Sequence, residues 1–234
     1  VTPMDKGVSV KKNLVVIAPR EEGATYTLSG YFKGQVVSKT KNTVIKLQNA
    51  YLENGSGSAA LYGEAKFELS PVSGSTNYIV SSGSSKEKTG AVQCRKDIVL
   101  GGSGTLYVVG NVFHGMKGDD VKIKGSGLHY LQGTKNGAAL SCESLTVEPE
   151  KTFRAYFLNG KNGIKADSEI TVASGTFYLY NNETALKTDK KKDAPAEPHA
   201  ITLRGGTFYT KGNETLYSTE KNAYTVLDAK IIEE

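Results

Sequence analysis

Tryptophan is absent from the 234 residues, cysteine occurs only twice and histidine three times. Two cysteines, Cys94 and Cys142, are too few for a disulfide scaffold, and neither has the CxxC or His-rich spacing that zinc requires. Long hydrophobic runs are missing too. The longest, Leu14-Val15-Val16-Ile17-Ala18, stops at Pro19, far short of the ~18 apolar residues that cross a bilayer. No signal peptide precedes Val1, which leaves a mature fragment or a protein that is not exported. The net charge is only +5, and the lysines are scattered apart from Lys190, Lys191 and Lys192. A single run of this kind reads as a solvated loop, so no nucleic-acid partner is expected. Helical periodicity is lacking almost throughout, and glycine interrupts the chain every ten residues or so.

What is present is β-forming material. Tyrosine outnumbers phenylalanine, 13 to 7, and there are 26 glycines, a composition that favours short strands joined by tight turns. Charged residues make up 23% and hydrophobic ones 38%, enough apolar material for a core.

The chain repeats itself. Residues 90–109, 115–132, 137–156 and 163–180 share one pattern, and a fifth copy beginning at Ala185 is interrupted by an insertion. Each copy has a small residue, an apolar first strand, a polar turn, a second strand, a Gly-containing turn and a third strand. The second-strand anchors are Ile98, Val121, Leu145, Ile170 and Ile201. The third-strand anchors are Leu106, Leu128, Phe153, Phe177 and Phe208. Both columns widen at the same copy, and Phe67 and Ile45 extend the second-strand column backwards. The leucine-rich consensus is missing, and hairpin repeats would need two-residue turns. Three short strands per period suit a parallel coil in which each strand pairs with its next copy. The expected fold is all-β: a right-handed parallel β-helix, a solenoid of about eight coils of roughly 22–25 residues. It forms a single domain over 1–234, with a lead-in and cap at 1–24 and insertions near 81–89 and 189–199. Cys94 and Cys142 then lie two coils apart, roughly 9–10 Å along the axis, beyond the ~7 Å reach of a disulfide.

Alternation assigns the faces. If the third-strand anchors point inward, Tyr107, His129, Arg154, Tyr178 and Tyr209 point out, followed by a second outward column of Val109, Leu131, Tyr156, Tyr180 and Lys211. Tyrosine on exposed strands stabilises a sheet by itself. Rings repeated at ~4.8 Å also offer a platform for a linear glycan, with His129, Arg154 and Lys211 available for hydroxyls or uronate carboxylates. Another set precedes the second strand: Asp97, Asp120 and Glu169 at one repeat position, Asp119 and Glu143 at the position before it, and Asp167 one earlier. Oxygen-only sets suit calcium, although Lys96 and Lys165 among them also fit a solvated turn. Nothing favours an enzyme. Asp119 and Asp120 are adjacent rather than set across a sugar ring, and His114, His129 and His199 occupy unlike repeat positions.

Residues 22–30 (Glu-Gly-Ala-Thr-Tyr-Thr-Leu-Ser-Gly), 35–37 and 42–50 resemble the start of bacterial carbohydrate-binding β-helix proteins once classed as a domain of unknown function. Residues 163–167 and 174–177 are similar to that family's later coils, and the resemblance covers roughly 13 to 230. It implies a pectate-lyase-like fold, export to the bacterial surface, binding of cellulose or polygalacturonate, and bound calcium, without implying activity. The acidic pair stands at Asp119-Asp120 but becomes Lys96-Asp97, Glu143-Ser144 and Ser168-Glu169 elsewhere. The expectation is a monomeric, non-catalytic polysaccharide-binding protein, secreted or at the cell surface (as a lipoprotein with its signal removed, for instance). A structural or adhesive protein with a protein partner is the alternative, and a polysaccharide lyase or hydrolase the third.

Overall fold

The computed structural model describes residues 1–2, 7–189, 200–218 and 223–234. Lys190, Lys191, Lys192 and His199, and with them most of the expected 189–199 insertion, lie outside the described residues. Elsewhere each repeat folds as three short strands, and each strand lies parallel to its counterpart about two dozen residues further on. The result is three walls around one core, built tier upon tier. The second-strand anchors take the register read from the sequence: Ile98 pairs with Val121, Val121 with Leu145, Leu145 with Ile170, and Ile170 with Ile201. In the first wall Leu61, Val92, Met116, Leu140, Ile164 and Leu186 stack inward. The third wall contributes Leu52, Ile79, Val108, Leu131, Phe157 and Leu179. All are buried in a single apolar cluster.

Several strands bend through a corner instead of stopping at it. Thr43–Asn54, Ala138–Val147, Asn162–Val172 and Thr176–Thr188 each serve two walls. Their register slips at the bend, between Cys142 and Ser144 and between Tyr180 and Asn182, as a bulged strand turning a corner must. Hydrogen bonds therefore pass round the corners and join all three walls into one 22-stranded sheet. A closed circuit of parallel neighbours runs from Thr43–Asn54 through Phe67–Pro71, Ile98–Leu100, Asp120–Ile123, Ala138–Val147 and Asn162–Val172. It returns through Thr176–Thr188, Arg154–Leu158, Leu128–Gln132, Thr105–Gly110 and Thr76–Ser81. The open right-handed parallel β-helix expected from the sequence, a solenoid of about eight coils, is thus corrected. The sheet closes as an eleven-strand parallel β-barrel with the remaining strands outside it. The bent strands are the physical reason, because they connect ladders that the repeat presents as separate.

Corners are where the backbone leaves the sheet, and asparagine does much of the work there. Asn42, Asn49, Asn159 and Asn181 hold left-handed backbone with φ of 52 to 59°, a conformation that their short side chains tolerate. Asn77 and Asn182 instead turn inward. Asn77 is fully buried; its Oδ1 accepts the Ala50 N–H at 3.0 Å, and its Nδ2 donates to the Thr105 carbonyl at 3.1 Å and to Ser75 Oγ at 2.8 Å. Asn182 accepts the Gly160 N–H at 3.0 Å and donates to the Phe157 carbonyl at 2.9 Å. Both replace backbone partners lost at the corner. Gly102 is required by its turn as well: its φ is +71°, and a Cβ there would lie 2.3 Å from the Pro71 carbonyl oxygen.

Cys94 and Cys142 are buried and unpaired. One tier separates them, since Lys117 pairs with both Gln93 and Ser141. Burial pushes the Cys94 thiol up to about 11 and raises that of Cys142 further, which leaves both as inert core groups.

Asn77→Ala leaves the Ala50 N–H and the Thr105 carbonyl without their buried partner. A loss of about 2–4 kcal/mol is expected, read as a lower urea midpoint with an unchanged slope.

Candidate functional site

The outer face of the third wall carries an unbroken row of tyrosines. Tyr31 pairs with Tyr51, Tyr51 with Tyr78, Tyr78 with Tyr107, and Tyr107 with Tyr130. Tyr130 pairs with Tyr156, Tyr156 with Tyr178, and Tyr178 with Tyr209. Sequence reading found Tyr107, Tyr178 and Tyr209 of this row, placed Tyr156 in the neighbouring column, and missed Tyr31, Tyr51, Tyr78 and Tyr130. The signal for most of them was a tyrosine preceding an inward apolar residue: Tyr51-Leu52, Tyr78-Ile79, Tyr107-Val108, Tyr130-Leu131, Tyr156-Phe157 and Tyr178-Leu179.

The register error has a physical source. Leu106 and His129 stand at the same distance from Ile98 and Val121 and pair with each other, whereas the longer turn after Leu145 brings Ala155 opposite Phe177. Leu128 therefore faces outward beside Arg154. Phe153, set before the strand, still reaches the core and packs on Phe177 with ring centroids 5.7 Å apart. Leu131 is core, not surface. His129 is the clearest correction. Expected to touch ligand, it is 0% exposed, 5.5 Å from the Phe153 ring centroid, with neither ring nitrogen hydrogen-bonded.

Ring geometry decides what the wall presents. From Tyr78 to Tyr209 neighbouring rings lie within 11° of parallel, with centroids 4.4 to 4.9 Å apart. Their faces cover one another, so solvent meets ring edges and phenol hydroxyls rather than a flat aromatic platform. The stack splays at its other end. Tyr51 is tilted 30° from Tyr78, and Tyr31 is tilted 45° from Tyr51. Tyr31 is 63% exposed and Tyr51 37%. These two rings offer faces, which a sugar's C–H surface needs. Glu53 accepts from the Tyr31 hydroxyl at 3.2 Å and pairs with Lys33 at 3.6 Å, adding polar groups at the edge. Arg154 and Lys211 are exposed on either side of the row. Tyr180, paired with Lys211, packs edge-on against Tyr178 at 5.8 Å. Burial and the Glu234 carboxylate push its phenol up to about 12.

The acidic positions align but do not converge. Asp120, Ser144 and Glu169 stack in one column at the corner before the second wall. Asp120 accepts from Ser144 at 2.7 Å, Asp97 pairs with Lys66 at 3.3 Å, and Asp167 with Lys165 at 2.7 Å. The Asp119 carbonyl accepts the Glu143 N–H. Among the described residues no group of three or more Asp, Glu, His or Cys side chains is placed to hold a metal ion. This donor set does not fit a calcium cage, which needs six to eight oxygens around one point.

A second concave feature lies on the first wall, a cleft of about 390 Å³ lined by Lys88, Lys117, Lys161, Lys165, Lys187 and His114 among others. His114 accepts the Ala138 N–H at Nδ1, 3.0 Å away, so its proton sits on Nε2. Burial and the neighbouring lysines push it down to about 3, which keeps the imidazole neutral.

Residues 11–121 match a family model described as Carbohydrate-binding domain-containing protein. No curated protein is significantly similar to the chain. Among solved structures, the polysaccharide lyase-like protein from C. thermocellum, solved as a gadolinium derivative, is similar at a TM-score of 0.60 and 19% identity, over 98% of this chain and 91% of that one. At that identity the likeness is one of fold. One similarity is to a family described by carbohydrate binding, the other to a protein described as polysaccharide lyase-like. No helix among the described residues is long and apolar enough to cross a membrane.

Burial alone pushes His129 down to about 4 from an ordinary 6.5. As pH falls below 6.5 the unfolded chain takes up a proton that the folded chain refuses, so stability is full above 6.5 and falls until about pH 4. His129→Leu is expected to flatten this arm of the curve and to raise the urea midpoint more at pH 4.5 than at pH 7.

Proposed function

We propose that this chain is a non-catalytic polysaccharide-binding protein whose contact face is the tyrosine wall. The observation that carries the reading is the splayed end of the stack. Tyr31 and Tyr51 are exposed aromatic faces, and they lie inside the segment that matches the carbohydrate-binding family. A polysaccharide laid along the row would stack on these two rings. Its hydroxyls would then meet the phenol groups of Tyr78, Tyr107, Tyr130, Tyr156, Tyr178 and Tyr209, one per tier. The ~4.8 Å rise between tiers is on the scale of one sugar, which gives a linear polymer a repeating partner. Cellulose and polygalacturonate are the proposed glycans, and Arg154 and Lys211 flank the row as hydrogen-bond donors for their hydroxyls. The setting proposed for this activity is the bacterial surface, where such polymers are met.

The wall has the character of a binding surface rather than of an active site. Its groups are phenols held in fixed stacks, and a glycosidase needs two carboxylates facing each other across the scissile bond.

Depletion of the protein from solution by insoluble cellulose or pectate tests the reading. Tyr31→Ala with Tyr51→Ala is expected to weaken retention about tenfold, the loss of roughly 1.4 kcal/mol of ring contact. Tyr130→Phe, which removes only a hydroxyl, is expected to weaken it by less. Absence of retention on every polysaccharide tried, by correctly folded protein, would overturn the proposal.

A further inference from the structure

The first wall carries a charged column that the tyrosine wall leaves without a role. Gln93, Lys117, Ser141, Lys165, Lys187 and Tyr217 follow one another outward, tier by tier. The three lysines of this column share the 390 Å³ cleft with Lys88 and Lys161. Five lysine side chains thus line one depression, against the two carboxylates of Asp167 and Asp189 that also line it. Most are held in place. Lys117 donates to the Lys88 carbonyl at 3.0 Å, and Lys88 lies 5.6 Å over the Phe113 ring. Lys165 bonds Asp167 at 2.7 Å. Lys187 sits 4.6 Å over the Tyr217 ring and 3.4 Å from Asp189.

Lysines outnumber carboxylates in this lining by five to two. Lys117 is half-buried, and burial, with Lys88 beside it, lowers its affinity for its own proton. An anion in the cleft would relieve both effects. Spacing narrows the choice of anion. Lys165 and Lys187 are one tier apart and Lys117 and Lys165 two, so positive groups recur at ~4.8 and ~9.6 Å along the axis. The cleft also contains acceptors: Asp167, Asp189, Asn136 and Ser141. A polyphosphate backbone has no hydroxyl donors for such groups. A sugar acid offers one carboxylate and several hydroxyls per residue, and so uses both kinds of lining.

We infer that the cleft is a second glycan-contact site, specific for the carboxylates of a uronate polysaccharide lying along the axis, with Lys117, Lys165 and Lys187 as carboxylate partners. Lys88 and Lys161 form the rim, and the Nε2–H of His114 supplies a neutral donor at the floor. The inference rests on the reading of the chain as polysaccharide-binding, and it assigns acid recognition to a wall other than the tyrosine wall.

Titration calorimetry with oligogalacturonate, and with the same oligomer after its carboxylates are reduced to alcohols, tests it. The unsubstituted protein is expected to bind the acidic oligomer on the order of tenfold more tightly than the reduced one. Lys117→Gln with Lys165→Gln is expected to abolish that preference while retention on insoluble cellulose persists. Lys88→Gln with Lys161→Gln, at exposed positions on the rim, is expected to do the same if the first pair fails to fold. Equal affinity for the two oligomers, an undiminished preference in the folded lysine variants, or displacement of the acidic oligomer by a lower concentration of single-stranded DNA would each overturn the inference. Cellulose retention in the same samples separates the outcomes. If it persists, only the cleft assignment falls; if it is absent from every sample including the unsubstituted protein, the polysaccharide reading falls first.

Discussion

Everything in this molecule depends on the parallel backbone ladder between one tier and the next. Its spacing of ~4.8 Å sets a side chain directly above its counterpart in the preceding repeat. Each position must therefore tolerate its own kind as a neighbour. Apolar groups meet this constraint by stacking, as Phe177 does on Phe208 with centroids 4.6 Å apart and planes 7° from parallel. Tyrosines do so on the outside, where each stacked pair adds about 0.5–1.5 kcal/mol beyond buried area. Like charges meet it only with help. Lys165 and Lys187 are neighbours in one column, and each has an aspartate two residues on, Asp167 and Asp189, as its counter-ion.

The same constraint made much of the wall legible from sequence and hid the rest. The second-strand column could be read because its turns keep Ile98, Val121, Leu145, Ile170 and Ile201 in phase. The third-strand column could not be followed through the middle repeats, where the turn from Leu145 to Ala155 is longer than that from Ile170 to Phe177. Bulky apolar residues near the true positions, Leu128 and Phe153, mimic the anchor there. The true inward positions are His129 and Ala155, one polar and one small, and neither carries an apolar signature. Closure of the sheet was invisible for a different reason. It depends on strands that run through corners, and a corner has no period.

The lysine cleft escaped sequence reading because its members come from different parts of the repeat. Lys117, Lys165 and Lys187 share a column, but Ser141 interrupts it, and Lys88 and Lys161 enter from turns. Scattered lysines look like ordinary surface until the chain winds them together. The acidic residues are the converse case. Asp97, Asp120 and Glu169 looked convergent on paper because they recur in register. Stacking in register places equivalent groups along a line, however, and a cation needs its ligands around a point.

The tyrosine row has a further consequence for how this surface can evolve. Its length is set by the number of strands that carry a tyrosine at this position, not by the outline of a pocket. Replacing the tyrosine of an end strand would shorten the row by a single ring. A shift of one residue within a repeat would turn that ring into the core. Such a surface can be graded in length in discrete steps, and its alphabet at each step is narrow.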